Sequence, residues 1–256
     1  MTKGTHREYE FIQPKGVALE LQRSQIAIES EVVLSVNGEI WLGFHCSPES
    51  LENLAVGFLY NESFIESVDE ISSITVCKSL DGVNIWLNHP CEKPDTWNRT
   101  SGCQGGMNQI TSTELLTKKH AETYKALEIQ NQINVFLTFL RQMGELRNGV
   151  HSTMLLDGVE VVSTSNDIGR HNTLDKIAGE CLRGKKTLKQ PVLLTTGRIS
   201  SDMVLKADRM GVRLSISLHS LSSLAIETGA TLGMCLVGHA RSPNWGIYTH
   251  PEMVIA

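Results

Sequence analysis

Between residues 17 and 45 apolar and polar positions alternate in short β-branched runs, the period of strands with one face turned inward. Asn37-Gly38 divides Val32-Val33-Leu34 from Ile40-Trp41-Leu42, which predicts a tight hairpin turn. The period then lengthens. Ser47-Pro48 offers an N-cap followed by proline at the first helical position, and Leu51, Leu54, Ala55, Phe58 and Leu59 fall on one helical face, so an amphipathic helix is expected after the hairpin. Residues 71–77 and 83–87 read as a strand pair around Asp81-Gly82. From about 112 to 143 the pattern is helical, with Ile133, Phe136, Leu137 and Leu140 facing a core in the second of two helices. Beyond residue 150 strands and helices alternate: strand 151–163, helix 172–182, strand 191–196, helix 201–210, strand 212–218, helix 221–228 and strand 231–238. That order predicts a sheet layered with helices. The chain is therefore expected to be α/β in two domains. Residues 1–108 would form a smaller N-terminal α+β domain ending in a loop around Cys103, and residues 109–256 a C-terminal α/β domain.

Composition narrows the setting. With 41% hydrophobic and 20% charged residues among 256, the chain has enough apolar material for two interiors. A formal charge of −5 gives no general grip on nucleic acid phosphates, so no nucleic acid partner is expected. No stretch has the apolar length of a membrane span and the first residues lack a secretory core, so a cytoplasmic protein without a membrane partner is expected. The six cysteines, at 46, 77, 91, 103, 181 and 235, include no Cys-x-x-Cys pair and no zinc-site spacing with histidine; neither a disulfide nor a structural metal is expected.

Two turns echo each other. Asp167-Ile168-Gly169-Arg170-His171-Asn172 and Thr195-Thr196-Gly197-Arg198-Ile199-Ser200 each place Gly-Arg between a strand and a helix. In a layered α/β sheet such turns line the crevice at the carboxyl ends of strands, where the next helix offers unpaired N–H groups to anions. Gly169 and Gly197 would let the backbone approach a ligand, and Arg170 and Arg198 would fork onto phosphate or carboxylate oxygens. The bland alternative is that these arginines pair with Asp167, Asp175 or Asp202 and only fix the turns. His171 and Lys176 lie in the first turns of the helix after the first Gly-Arg, aimed at the crevice or simply starting an exposed helix. Cys103 sits in Asn98-Arg99-Thr100-Ser101-Gly102-Cys103-Gln104-Gly105-Gly106-Met107-Asn108-Gln109, a glycine-rich run expected to be an exposed loop. An accessible thiolate there can attack a sulfur donor and hold the transferred atom as a persulfide, whereas a lone cysteine elsewhere is an inert small hydrophobe. His151, at a strand start, and the polar run His239, Ala240, Arg241, Ser242, Pro243 and Asn244, at a strand end, complete the candidates.

Three segments carry a resemblance: Leu54-Ala55-Val56-Gly57-Phe58-Leu59; Asp167-Ile168-Gly169-Arg170-His171-Asn172-Thr173-Leu174-Asp175-Lys176; and Thr196-Gly197-Arg198-Ile199-Ser200-Ser201-Asp202-Met203-Val204-Leu205-Lys206. In their order the chain resembles, over nearly its whole length, the formate dehydrogenase accessory sulfurtransferase family, FdhD. The resemblance implies a C-terminal domain with the cytidine deaminase-like three-layer α/β/α fold but no zinc chemistry, in keeping with the lack of Pro-Cys-x-x-Cys. It implies a homodimer that takes sulfur from a cysteine desulfurase as persulfide. That sulfur goes to the molybdenum bis-guanine-dinucleotide cofactor, molybdenum bis(molybdopterin guanine dinucleotide), a bound client destined for the formate dehydrogenase molybdenum subunit. Residues 239–244 correspond to the family's C-terminal cofactor segment.

The chain also departs from the family. Cys103-Gln104-Gly105-Gly106 stands where the family has Cys-x-x-Cys, Asn166 replaces a Glu, Arg147-Asn148-Gly149-Val150-His151 replaces Thr-Gly-Gly-x-His, and His239 replaces a phenylalanine. One thiol can carry a persulfide but cannot close a local disulfide to expel the sulfur. Two readings stay open: a sulfurtransferase with Cys103 as carrier and Arg170, His171, Arg198 and Arg241 seating the cofactor, or a noncatalytic chaperone that binds cofactor or apoenzyme without sulfur transfer. A thiol hydrolase using Cys103 with His151 or His171 ranks lowest, because no nucleophile elbow is present.

Overall fold

The computed structural model describes residues 5–94 and 122–256. Cys103 and the boundary expected between residues 108 and 109 therefore lie outside the described residues. The chain opens with a hairpin of β1 (His6–Lys15) and β2 (Ala18–Ala27), paired antiparallel from His6 opposite Ala27 to Lys15 opposite Ala18. The alternation read from residue 17 onward includes β2, yet Val17, Leu19 and Leu21 are exposed, as are Tyr9, Phe11 and Ile12 of β1. The hairpin is an arm.

Next come β3 (Ser30–Val36) and β4 (Glu39–Cys46), joined by Asn37 at φ +50° and Gly38 at φ +84°, the left-handed pair that a two-residue hairpin turn needs. Helix α1 (Leu51–Asn61) and strands β5 (Ile71–Val76) and β6 (Gly82–Leu87) complete a four-stranded sheet ordered β4-β3-β6-β5. Val32, Leu34, Phe44 and Ile85 of the sheet bury against Leu54 and Phe58 of α1, the helical face read from the sequence. The helix start differs from expectation. Its N-cap is Ser50, in the left-handed region and without a side-chain capping bond. Ser47 is held instead by its own backbone: its N–H donates to Asp167 Oδ2 (3.1 Å) and its carbonyl accepts from Lys176 Nζ (3.1 Å).

The remainder runs β7 (Tyr124–Lys125), α2 (Ala126–Gln142), β8 (His151–Asp157), β9 (Glu160–Asp167), α3 (Arg170–Arg183), β10 (Pro191–Thr195), α4 (Ser201–Arg209), β11 (Leu214–Ser217), α5 (Ser223–Leu232), β12 (Cys235–Gly238), β13 (Gly246–Thr249) and β14 (Val254–Ile255). Six of these strands form a sheet ordered β13-β12-β11-β10-β8-β9, with β10, β11 and β12 parallel and the others antiparallel to their neighbours. Alternate side chains go to opposite layers. Val192 and Leu194 of β10 pack with Ile129, Ile133 and Phe136 of α2, while Leu193 packs with Leu174 and Ile177 of α3 and Met203 and Val204 of α4. A strand covered on both faces reads as one continuous apolar run, as 191–195 does. The α/β class and the three-layer arrangement are those expected.

Two boundaries moved. The stretch 151–163 is two strands folded at Gly158, whose φ is +62°. Helix α5 continues to Leu232 and ends on Gly233 at φ +69°, so the strand after it starts at Cys235 rather than 231. Gly229 inside the helix lets its backbone lie on Leu236, where a Cβ would come within 2.6 Å of Leu236 Cδ1.

The two sheets are joined through α1 and α3, which cross with backbone against backbone. A Cβ on Gly57 would lie 1.7 Å from the carbonyl oxygen of Asp175, and one on Gly179 2.0 Å from that of Asn53. Only glycine permits this approach.

Candidate functional site

Because β10, β11 and β12 are parallel, their carboxyl ends share one edge of the sheet; β8 starts and β9 ends at that same edge. The topology thus gathers His151, the Gly169-Arg170 turn, the Gly197-Arg198 turn, His219 and residues 239–244 along one line. The first turns of α3 and α4, which follow the two Gly-Arg turns, have no side-chain cap, in contrast to α5, where Ser222 caps the Ala225 N–H (3.2 Å).

The helix motif beginning at Asp167 divides into two jobs. Most of its polar groups tie the two sheets together. Asp167 is fully buried; its Oδ2 lies 2.6 Å from Lys176 Nζ, and its Oδ1 accepts from the Gly169 N–H and from Asn172 Nδ2, both at 2.8 Å. Asn172 also donates to the carbonyl of His45 (2.8 Å). One turn further on, Asp175 accepts from Asn61 Nδ2 (2.7 Å) and from Lys206 Nζ (2.7 and 2.8 Å), and Glu62 lies 3.4 Å from the same ammonium. Burial opposes the charge on Lys206, but Asp175 and Glu62 outweigh it and hold the ammonium above the usual lysine range. Asp167 and Asp175 are thus taken by lysines, and Lys176 points into the interior rather than the crevice. A buried pair of this kind is worth little net stability, but breaking it strands a charge.

Arg170 and His171 are the members that face the two turns. Gly197 backs onto Arg170, whose Cβ would lie 3.0 Å from a Cβ at 197, and His171 Nε2 lies 3.2 Å from Ser200 Oγ. Burial, followed by the charges of Lys206, Arg170 and His151, pulls the His171 pKa down to about 3, so its imidazole is neutral at physiological pH. His151 is lowered for the same reasons, burial first and then Arg170 and His219. The second turn is pinned from below: Thr195 Oγ1 accepts the Gly197 N–H (3.0 Å) and Ser217 Oγ donates to the Gly197 carbonyl (2.7 Å). Arg198 is exposed beside it.

A cleft of about 630 Å³ opens along this edge, lined by Arg141, Arg147, Arg241, His151, Thr196 and His219 among others. Among the described residues no aspartate or glutamate lines it. In a chain of net charge −5 such a cleft is a local inversion of sign, and it suits an anionic ligand. Of the C-terminal polar run only Arg241 lines the cleft. His239, at φ +57°, and Ala240 bend the chain there, donating backbone N–H bonds to the carbonyls of His219 (2.7 Å) and Ser217 (3.0 Å). Ser242, Pro243 and Asn244 are exposed beyond it.

Sequence reasoning had not selected Arg141, Arg147 or His219 for the site. His219 follows β11 as Gly197 follows β10, so the strand-end rule that found the Gly-Arg turns applied to it equally. Arg141 comes from the other layer, in the last turn of α2, and nothing local distinguishes it from a solvent-facing charge. The thiols of Cys46, Cys181 and Cys235 are pushed up to about 12, 11 and 12, burial being the largest cause in each, and are no source of thiolate at neutral pH.

Comparison with known proteins gives a consistent picture. The model of the FdhD/NarQ family matches residues 27–255. A protein of Bacillus subtilis (strain 168) named sulfur carrier protein FdhD is 30% identical over 236 residues, 90% of each chain. A Staphylococcus aureus (strain MRSA252) protein of the same name is 31% identical over 238 residues, 90% of this chain and 89% of that one. The crystal structure of a candidate formate dehydrogenase accessory protein from Desulfotalea psychrophila superposes with a TM-score of 0.77 over 98% of this chain and 100% of the other, at 23% identity, a likeness of fold.

Proposed function

Since this chain belongs to the FdhD/NarQ family, we propose that it is a cytoplasmic sulfur carrier serving the maturation of formate dehydrogenase. The thiolate of Cys103 attacks the outer sulfur of a cysteine desulfurase persulfide; the new S–S bond forms on Cys103 and the donor cysteine leaves as thiolate. With glycine at 106 there is no neighbouring thiol to expel that sulfur. The acceptor attacks the outer sulfur directly and supplies the electron pair of the new bond, and Cys103 departs as thiolate; an external thiol attacking the same sulfur would carry it on as its own persulfide. The acceptor is the molybdenum bis-guanine-dinucleotide cofactor, bound as substrate in the arginine-lined cleft and passed on to the formate dehydrogenase molybdenum subunit. The cleft suits its diphosphates: among the described residues it is lined by three arginines and no carboxylate. Arg170, His171, Gly197 and Arg198 do not line the cleft itself; they form the two turns at the same sheet edge, where the neutral His171 is a hydrogen-bonding strut to Ser200. The protein works as a homodimer. An arm of two ten-residue strands with exposed apolar side chains is marginal alone, and a second copy packed on it would cover those side chains.

The observation that carries this reading is the match over residues 27–255 to a family whose similar members are named sulfur carriers. The burial of three of the other thiols supports Cys103 as carrier. The test is intact-mass spectrometry after incubation with a cysteine desulfurase and cysteine. Wild type should gain one sulfur atom, and Cys103→Ala should not. Wild type without an adduct under turnover would instead favour the noncatalytic chaperone, for which the missing second cysteine is the specific argument.

A further inference from the structure

The seam between the two sheets holds a second cavity, of about 400 Å³. It opens at the far end of β10 from the arginine-lined cleft: Pro191 starts that strand and Thr196 follows it, and five extended residue steps span roughly 16 Å. The two cavities share no lining residue. Ala178, Cys181 and Leu182 of α3, with Leu188, Pro191 and Met210, give this one an apolar floor. Burial pushes the Cys181 thiol up to about 11, so it adds no charge at neutral pH. A mostly apolar hollow of roughly 300–1,000 Å³ with a few polar groups at its edge is the usual form of a small-molecule site.

The polar groups around the mouth are mostly spent on one another. Glu66 Oε1 takes Arg209 Nη2 (2.6 Å), and Asp69 Oδ1 takes Lys185 Nζ (2.8 Å). Tyr60 donates its hydroxyl to the carbonyl of Arg209 (2.8 Å), and Lys186 donates to Glu180 (2.8 Å) and to the carbonyl of Val162 (3.0 Å). That leaves Lys189. Among the described residues its ammonium has no hydrogen bond or ion pair, and its exposed four-carbon stem can swing over the mouth. The charge that suits it is single. Tyr60, Leu182 and Met210 lie at the C-terminal ends of α1, α3 and α4, whose carbonyls carry partial negative charge, so one carboxylate is favoured over a polyanion such as a nucleoside diphosphate.

We propose that this seam pocket binds a small apolar monocarboxylate, its hydrocarbon body on Cys181, Leu182, Leu188 and Met210 and its carboxylate on Lys189. The walls come from both sides of the seam, so the bound acid braces the junction of α1 and α3. The site is separate from the cleft and does not depend on what the cleft binds.

Calorimetric titration of the full chain with octanoate tests this, with octanol and octylamine as uncharged and cationic probes of the same length. Octanoate should bind once per chain and raise the midpoint of thermal unfolding. Octanol should bind about tenfold more weakly, and octylamine more weakly still. Lys189→Glu, at an exposed position, should weaken octanoate by about tenfold, whereas Lys78→Glu, the same charge change at an exposed lysine outside the cavity, should leave it unchanged. Pyrophosphate in excess should not displace it. Octanoate that fails to saturate, that binds no better than octanol, that binds Lys189→Glu as it binds wild type, or that pyrophosphate displaces would overturn the proposal.

Discussion

The aspartates and lysines of the helix motif look from the sequence like site chemistry, and most of them are joinery. Asp167, Asn172 and Lys176 hold the strand end at His45 and Ser47, while Asp175 and Lys206 hold the end of α1. What remains of the motif at the two Gly-Arg turns is Arg170 and His171, neither of which lines the cleft. The neutral His171 has a measurable consequence. Its folded pKa of about 3 lies below the ordinary value of 6.5, so between those values the unfolded chain binds the extra proton. Stability therefore rises with pH through that window and is lost on acidification across it, by up to about 1.4 kcal/mol per pH unit from this one group, levelling off once the pH is below the folded value. The midpoint of thermal unfolding should fall more steeply for wild type than for His171→Asn as pH drops from about 6.5 to about 4.5. Parallel curves would show that His171 is charged or accessible in the fold.

At the scale of elements, the strand and helix pattern was largely legible. The Asn37-Gly38 turn, the apolar face of α1 and the buried run of β10 were read directly, because each depends on periodicity or on a local backbone preference. The errors fell where distant groups decided a local question: the start of α1 at Ser47, which is held by Asp167 and Lys176, and the end of α5, where Gly229 packs on Leu236. The crossing of α1 and α3 is the element contact with least tolerance. Gly57→Ala should cost about 3 kcal/mol, because the added methyl meets a backbone carbonyl that no rotamer can move. Differential scanning calorimetry should show the midpoint lowered by roughly 6–12 °C. Gly16→Ala, at an open turn of the arm, is the control for glycine replacement as such: no atom lies within 4 Å, and only its φ of +64° is strained.

For the whole molecule, the site is made by bringing five loops to one sheet edge, and the arm stands outside that arrangement. Its base touches the cleft nonetheless: Gly149, which lines the cleft, packs against Ala27 at the end of β2, where a Cβ would lie 3.5 Å from Ala27 Cβ. If the arms hold two copies together, removal of residues 1–27 should convert a dimer to a monomer in light scattering, with the six-stranded sheet still folded. A truncated chain that remains dimeric would place the interface elsewhere.

The sequence by itself determined the α/β class, the order of most elements, the two Gly-Arg turns and the family likeness, since periodicity, turn residues and contiguous motifs are local properties of a chain. Only the tertiary structure decided which polar residues line the cleft and which serve as interior ties. Arg141, Arg147, His219 and Arg241 are spread over about a hundred residues and meet because strand order and the α2 layer bring them together, and in separating Lys176 from Arg170 burial decided what charge alone could not.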